Sequence, residues 1–165
     1  MSKTQRSLLV TLILALLVVL PTTALANKRL YQARLSYSNE LHTVVGSLAA
    51  GSATLGNNPD GSLRFMVQVR NLSGNPGAAH IHGPADATQN AGVLITLCGG
   101  SPSACPPLDA NNNWYLEGNI TPSQLAQAGL TGATFMSYLE GGLLYVNVHT
   151  ALNPAGEARG NFYPR

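Results

Sequence analysis

The sequence is poor in charged residues and in cysteine, and rich in residues that form turns. Charged residues make up 10% of the 165 residues and there are only two cysteines, whereas 17 glycines and 10 prolines are present. In an ordinary soluble domain about a quarter of the residues are charged. The high net charge that favours disorder is therefore lacking, and the composition indicates a folded chain with many turns.

Only one long apolar run is present, at 8–20 near the start of the chain. It follows Lys3 and Arg6 and leads to a small Ala-Leu-Ala site, which is the pattern of a secretory signal peptide. A permanent membrane anchor is the alternative, but this run is shorter than the ~20 residues that span a bilayer. The sequence therefore predicts cleavage of a signal peptide at 1–26. What remains, 27–165, would be one secreted or periplasmic domain with no stable membrane insertion.

Excess positive charge disappears with this leader. The chain has nine lysines and arginines against seven acidic residues, and Lys3 and Arg6 leave with the leader, so the mature domain has seven of each. A neutral domain without a basic cluster has no electrostatic surface for DNA, RNA or anionic lipid. We therefore expect no nucleic-acid partner.

The two cysteines, Cys98 and Cys105, both lie in the part predicted to be exported, and the loop between them contains two glycines. Export favours a disulfide across such a flexible loop. A structural zinc site is the alternative, but it needs four ligands, and neither a second cysteine pair nor a histidine lies nearby. The spacing predicts a disulfide bond.

Alternation of apolar and polar residues predicts mainly β-strands. Phe65, Val67 and Val69 alternate with long or polar side chains, which is the period of a half-buried strand. The predicted strands lie at 30–37, 47–55, 63–69, 78–82, 92–97, 114–116, 119–120, 143–149 and 157–163.

One segment between the later strands is predicted to be helical. Thr121 is a suitable N-cap, Pro122 suits the first helical position, Gln124 follows the cap by three residues and Gly129 suits the end. A second short helix is predicted at 134–140. Short strands with such a crossover predict an all-β fold, namely an antiparallel Greek-key-like β-sandwich with one or two short helices in a crossover loop.

The histidines are the candidates for chemistry. His80 and His82 are two residues apart on a predicted strand, so their side chains lie on one face, about 6.6 to 6.8 Å apart along the backbone. In a later strand Val146 and Val148 are expected to face the core, so His149 faces the other way. If these strands are neighbours, the three imidazoles converge. Three imidazoles with an open fourth position suit copper or zinc.

The alternative to a metal site is that the histidines have no ligand. Two histidines on an exposed strand face are often only solvated or hydrogen-bonded, and the sequence does not fix the distance from His149 to the other two. His42 has no spacing relation to the three, and we expect it to lie outside the site.

Other catalytic patterns are missing. The sequence contains no nucleophile-elbow serine motif, no phosphate-binding glycine loop and no zinc-protease motif. Glu157 and Arg159 share one strand face, and we predict an ion pair that supports the scaffold. Guidance of an anion towards a metal is the alternative role for Arg159.

Three motifs give the sequence a resemblance to a known family. Ala-His-Ile-His-Gly-Pro-Ala at 79–85, Leu-Tyr-Val-Asn-Val-His-Thr at 144–150 and Asn-Pro-Ala-Gly-Glu-Ala-Arg-Gly at 153–160 resemble the CHRD domain, first described in chordin. The resemblance runs from about residue 31 to 162. It implies a secreted or cell-surface β-sandwich module without established catalytic chemistry.

A second resemblance is to copper,zinc superoxide dismutase, a β-sandwich in which an H-x-H strand and a later Val-His strand supply copper ligands. By this likeness His80, His82 and His149 correspond to copper ligands and Arg159 to the arginine near the metal. The chain has no histidine between His82 and His149, so the bridging histidine and the zinc-binding loop have no counterpart. The likeness thus implies a single copper ion without full dismutase activity.

Together these patterns predict an exported CHRD-like binding or interaction module with a three-histidine, copper-type metal site on an outer sheet face. Its partners would be the metal ion and a protein whose identity the sequence does not contain. A copper-dependent redox enzyme resembling superoxide dismutase is the alternative.

Overall fold

The computed structural model describes residues 29–100 and 103–165, so the predicted signal peptide lies outside the described residues. The strands are β1 (Leu30–Ser36), β2 (Ala50–Asn57), β3 (Leu63–Arg70), β4 (Pro76–His82), β5 (Val93–Cys98), β6 (Asn113–Ile120), β7 (Tyr145–Thr150) and β8 (Ala158–Pro164). The helices are α1 (Pro122–Gln127) and α2 (Gly132–Glu140), and a short 3-10 turn spans Tyr37–Asn39.

All eight strands belong to one antiparallel sheet with the order β5-β4-β7-β8-β1-β2-β3-β6. The two edge strands, β5 and β6, line one small cavity together, so the sheet curls until its edges approach each other. The two halves of the curled sheet face each other across the core. The predicted all-β antiparallel fold with two short helices is confirmed.

One face of the sheet forms the apolar core. Alternate residues along the strands are buried there, as the period of two requires. Examples with 0 or 1% exposure are Tyr31, Ala33, Ala53, Leu55, Val67, Ile81, Val146, Val148 and Phe162. The core face is therefore the apolar face that the sequence pattern predicts.

The two helices cover the core between β6 and β7. Helix α1 begins as predicted, with a capping box in which Thr121 and Gln124 bond to each other's backbone. Helix α2 begins at Gly132 rather than at Thr134, because the side chain of Thr131 accepts a hydrogen bond from the Thr134 amide and caps the helix earlier. No helix in the described part of the chain has the length and apolar character needed to cross a bilayer.

Strand β6 is longer than the sequence pattern predicts. The pattern breaks at Gly118, which divides the expected strand into two pieces, whereas the structure has one continuous strand paired with β3. A Cβ atom on Gly118 would lie 2.8 Å from the ring of Phe65. The glycine therefore leaves room for a buried aromatic side chain, and the gap in the pattern is a packing feature rather than the end of a strand.

The disulfide predicted between Cys98 and Cys105 is confirmed, with their Cα atoms 4.9 Å apart. It joins the end of β5 to the segment that leads into β6. The bond therefore connects the edge strand β5 to the segment that precedes the other edge strand, β6.

Candidate metal centre

Two neighbouring strands bring the three predicted histidines together. His80 and His82 lie on β4 and His149 lies on β7, and these strands pair so that Ala78 is opposite His149 and His80 is opposite Asn147. The intervening Ile81, Val146 and Val148 are fully buried in the core. Because side chains alternate along a strand, all three histidines point to the other face of the sheet.

The ring nitrogens of the three histidines form one compact cluster. One nitrogen from each ring lies within 4.8 Å of the other two. Nδ1 of His80 is 3.2 Å from Nε2 of His149. The ring centroids of His80 and His82 are 5.6 Å apart, and those of His82 and His149 are 6.1 Å apart. Two ligands of one ion lie roughly 3 to 4 Å apart when each is about 2.0 Å from it, so the cluster is close to ligand spacing.

Backbone carbonyl groups fix two of the tautomers. Nδ1 of His82 donates to the Ala91 carbonyl at 3.0 Å, and Nδ1 of His149 donates to the Pro154 carbonyl at 3.1 Å. A carbonyl oxygen only accepts, so in both rings the Nε2 atom carries the free lone pair. In metal proteins such outer hydrogen bonds orient ligating imidazoles and raise their basicity.

The Nε2 atom of His82 is buried and has no hydrogen-bond partner among the described residues. His82 itself is 9% exposed, which is less than expected for a residue on an outer sheet face. The reason is the loop after β4, which folds over this face and is held there by hydrogen bonds from the Ala85 amide to Leu143 and from the Ala91 amide to Tyr145. The site is thus on the outer face but beneath a loop.

Burial lowers the pKa of all three imidazoles. For His80, burial and then the nearby His149 and His82 lower the pKa to about 4. Burial also lowers the pKa of His82 and of His149, although hydrogen bonds to Ala91 and Pro154 act in the opposite direction. The three rings are therefore neutral at pH 7, which is the form that binds a metal ion.

Tyr145 and Arg159 form the wall beside His82. The ring of Tyr145 stacks on His82 with 4.9 Å between the ring centroids and an angle of 5°. The guanidinium carbon of Arg159 lies 3.6 Å from the centre of the same tyrosine ring. Arg159 is 1% exposed and donates to Asn90 Oδ1 and to the carbonyl groups of Asp86 and Gln89. It thereby fastens the covering loop to β8.

The predicted ion pair of Glu157 with Arg159 is wrong. Glu157 accepts hydrogen bonds from the hydroxyl groups of Ser47, Ser73 and Thr150 and from the Ser73 amide. The strand β8 starts only at Ala158, so Glu157 precedes it and does not share a strand face with Arg159. The side chain of Glu157 therefore bonds to serine and threonine residues, and that of Arg159 bonds to the loop after β4.

Glu40 is a buried group that the sequence did not indicate. Its side chain is 2% exposed, and its Oε2 atom accepts a 3.5 Å hydrogen bond from Asn147, the residue opposite His80. Burial raises the pKa of Glu40 to about 7, against the opposing effects of Arg159 and Asn147. No motif marks this residue, because it lies in an irregular segment after the 3-10 turn.

His42 is not one of the three clustered histidines, as expected, although it is near enough to His149 to lower the pKa of that residue. Its Nε2 atom is 3.1 Å from the Gly156 carbonyl, and its Nδ1 atom is 3.8 Å from Glu40 Oε2. His42 therefore packs against Glu40 and the turn that contains Gly156.

Comparison with known proteins gives the family. Searches among curated proteins and among solved structures found no match, so the resemblance to superoxide dismutase stays a prediction. The sequence model of the CHRD domain, however, matches residues 31–162. This range extends from β1 into β8 and contains His80, His82 and His149. The chain therefore belongs to the CHRD domain family.

Proposed function

We propose that this CHRD domain is an exported binding module that holds one copper-type metal ion through His80 Nδ1, His82 Nε2 and His149 Nε2. The observation that carries the proposal is the buried Nε2 atom of His82, which lacks a hydrogen-bond partner in the described chain. Leaving a buried polar atom unpaired costs about 1 to 3 kcal/mol. A metal ion in the cluster would pair this atom.

The arrangement of the lone pairs supports a shared ion. Nε2 of His82 and of His149 are the free acceptors, because Nδ1 of each ring donates to a carbonyl. Since His149 Nε2 is an acceptor, His80 Nδ1 donates to it across 3.2 Å in the metal-free protein. For all three rings to offer a lone pair to one ion, the proton of His80 would have to leave Nδ1 for its other nitrogen.

The ligand chemistry favours copper over zinc. The cluster offers imidazole nitrogens alone, and at such sites Cu(II) binds more tightly than Zn(II) in the general affinity order. Both cysteines are engaged in the disulfide and so supply no thiolate. When bound, copper would supply a redox-active centre with an open coordination position.

The surroundings of the site favour a binding role over catalysis. An arginine that attracts an anion to a metal must be open to solvent, whereas Arg159 is only 1% exposed and its Nη1 and Nη2 atoms donate to Asn90, Asp86 and Gln89. We therefore expect superoxide turnover far below that of a dismutase. Rapid turnover that disappears in His80→Gln would favour the copper-dependent redox enzyme instead.

Export is supported by the leader pattern and by the disulfide. CHRD domains are typically extracellular, and a disulfide persists in oxidising compartments. The intact mass of the exported protein should correspond to a chain that begins at Asn27 and has lost two hydrogens at Cys98 and Cys105. A mass that includes the leader, or two thiols that react with an alkylating reagent before reduction, would contradict export with cleavage at this site.

Titration of the metal-free protein with Cu(II) tests the metal site. The unmodified protein should bind one copper ion per chain, and His80→Gln should weaken binding by more than about 100-fold, because loss of a ligand exceeds the 10- to 100-fold effect of losing an outer-shell partner. His80 is the best position to change, since it is only partly buried, whereas His82 packs on Tyr145.

His42→Gln is the matched control for this titration. It also removes one imidazole, but from a residue whose ring contacts Gly156 and Glu40 rather than the cluster. It should leave copper binding unchanged, and circular dichroism should show the same fold for both variants. Absence of copper binding at neutral pH, or an equal loss in both variants, would contradict the metal site.

A further inference from the structure

The outer face of the sheet carries a second site on the half that lies away from the histidines. A groove of about 750 Å³ runs over β1, β2, β3 and β6. The side chains that line it and matter here are Gln32, Arg34, Ser52, Gln68, Arg70 and Tyr115.

The groove exists because the outward side chains of β2 are short. Ser52 lies between Arg34 of β1 and Gln68 of β3 in the sheet register, and Tyr115 of β6 follows Gln68. Neighbouring strands are about 4.8 Å apart, so the walls on β1 and β3 stand roughly 10 Å from each other. Ala50, two residues before Ser52, continues the low floor. The result is a channel that is open to solvent.

The groove is positively charged, although the predicted mature chain has equal numbers of basic and acidic residues. Arg34 and Arg70 are both exposed, and within the described chain neither forms an ion pair with a carboxylate. By contrast, Arg64 on the same face of β3 pairs with Glu117 at 2.7 Å. None of the described residues that line the groove is acidic. The two free guanidinium groups therefore face an anionic ligand or solvent.

We propose that this groove binds an acidic oligosaccharide. The planar guanidinium groups of Arg34 and Arg70 match carboxylates with paired hydrogen bonds. Gln32 and Gln68 each offer both donors and acceptors, which suits ligands with many hydroxyl groups. Tyr115, 43% exposed, gives a ring against which a sugar packs, and its hydroxyl donates to Glu117 at 2.7 Å, which restrains the side chain.

Other macromolecules fit the groove less well. A peptide that adds a strand needs a free sheet edge, but β1, β2 and β3 beneath the groove each pair with a strand on both sides, and the free edge of β6 faces β5 instead. A helical peptide needs apolar anchors, whereas the groove walls carry arginine and glutamine. A nucleic acid needs a larger basic surface than two arginines provide.

Calorimetric titration of the purified protein with an oligomer of about four uronic acid units tests this proposal. The uronic acid oligomer should bind, and the neutral oligomer of the parent sugar with the same linkage should bind at least ten-fold more weakly. Arg34→Gln and Arg70→Gln should each weaken binding by about ten-fold or more, as expected for loss of a hydrogen bond to a charged group. Arg29→Gln removes the same charge from a residue that pairs with Glu140 outside the groove, and it should leave binding unchanged.

A measurement on the unmodified protein keeps the test independent of the variants. Backbone NMR shifts on addition of the uronic acid oligomer should be confined to β1, β2, β3 and β6. Equal binding of the neutral oligomer, an equal loss in Arg29→Gln, or shifts elsewhere would overturn the proposal. Equally tight binding of inorganic phosphate would show that the groove binds anions without regard to the sugar. Tighter binding of a single-stranded oligonucleotide would show that the groove binds nucleic acid. Either result also overturns the proposal.

Discussion

Each histidine of the cluster is defined by what its second nitrogen contacts. In His82 and in His149 the Nδ1 atom donates to a backbone carbonyl. The Nε2 atom, which faces the cluster, therefore has a lone pair and no proton. The His80 tautomer is instead set within the cluster, because its Nδ1 donates to His149 Nε2. Burial keeps all three rings neutral, since it lowers the pKa of each. At the scale of single residues the cluster is therefore a set of three neutral imidazoles that could hold a metal ion.

This neutrality predicts an unusual pH dependence of copper binding. Protons displace a metal only near or below the pKa of its ligands, and a free imidazole has a pKa of about 6.5. Because the pKa of His80 is about 4 and those of His82 and His149 are lowered, protonation begins at lower pH than in free histidine. Copper affinity should therefore persist at pH values at which free imidazole is already protonated, and it should fall as the pH approaches about 4, where His80 takes up a proton. Titrations at a series of pH values check this.

A pH dependence of copper binding that matches the pKa of free imidazole would contradict this explanation. If copper affinity fell with a midpoint near pH 6.5, the ligating rings would be solvated and not buried. Free imidazole titrated with copper in the same buffers gives the reference curve.

Loops and strands around the site are held together by single polar side chains. Glu157, fully buried before β8, contacts Ser47 before β2, Ser73 between β3 and β4, and Thr150 at the end of β7. Burial alone would raise the pKa of Glu157, but hydrogen bonds from Ser73, Thr150 and Ser47 outweigh it and lower the pKa. One carboxylate thus ties two connections and the end of β7 to the start of β8.

Replacing this carboxylate should weaken the whole domain. Glu157→Gln puts an amide nitrogen among donors, and we expect a loss of about 2 to 4 kcal/mol in the free energy of unfolding. Because the folded pKa of Glu157 is lowered, its contribution is present at neutral pH and is lost as the pH falls through that pKa in acid. Urea unfolding at pH 7 and at acid pH measures both effects.

Glu117→Gln is the control for this stability change. Glu117 is an exposed carboxylate whose side chain is 45% exposed and pairs with Arg64 on the surface. Its replacement should cost no more than about 1 kcal/mol. Equal losses for Glu157→Gln and Glu117→Gln would show that Glu157 does not tie the connections together.

At the scale of elements, the sequence predicts what depends on local pattern and misses what depends on tertiary contacts. The capping box of α1 and the alternation in β3 are local, and both are observed. The continuity of β6 through Gly118 depends on the ring of Phe65, which is distant in sequence. The same holds for Glu157, whose partners come from three separate segments of the chain.

For the whole molecule, the curled sheet gives its outer face two different halves. Over β4, β7 and β8 the face is covered by the loop after β4, and its polar residues, among them His82, Asn147 and Arg159, are buried. Over β1, β2 and β3 the face is open and carries the groove with its two free arginines. Alternation predicts which side chains leave the core, but it does not tell which of them a loop will cover.

Neither could the sequence fix the distance between the histidines. That His80, His82 and His149 leave the core follows from Ile81, Val146 and Val148, but their convergence needs β4 and β7 to be neighbours in the correct register. His80 and His149 are 69 residues apart in the sequence. No local sequence pattern predicts which strands pair over such a distance. The structure supplies the register.

The most direct test is a crystal structure of the copper-loaded protein with data collected on both sides of the copper absorption edge. The three-histidine site predicts one anomalous peak per chain, at about 2.0 Å from His80 Nδ1, His82 Nε2 and His149 Nε2. The loop after β4 should remain in place, with the Ala91 and Pro154 carbonyls still accepting from Nδ1 of His82 and His149. A peak bound to His42 or to surface carboxylates, or no peak near the cluster, would contradict it.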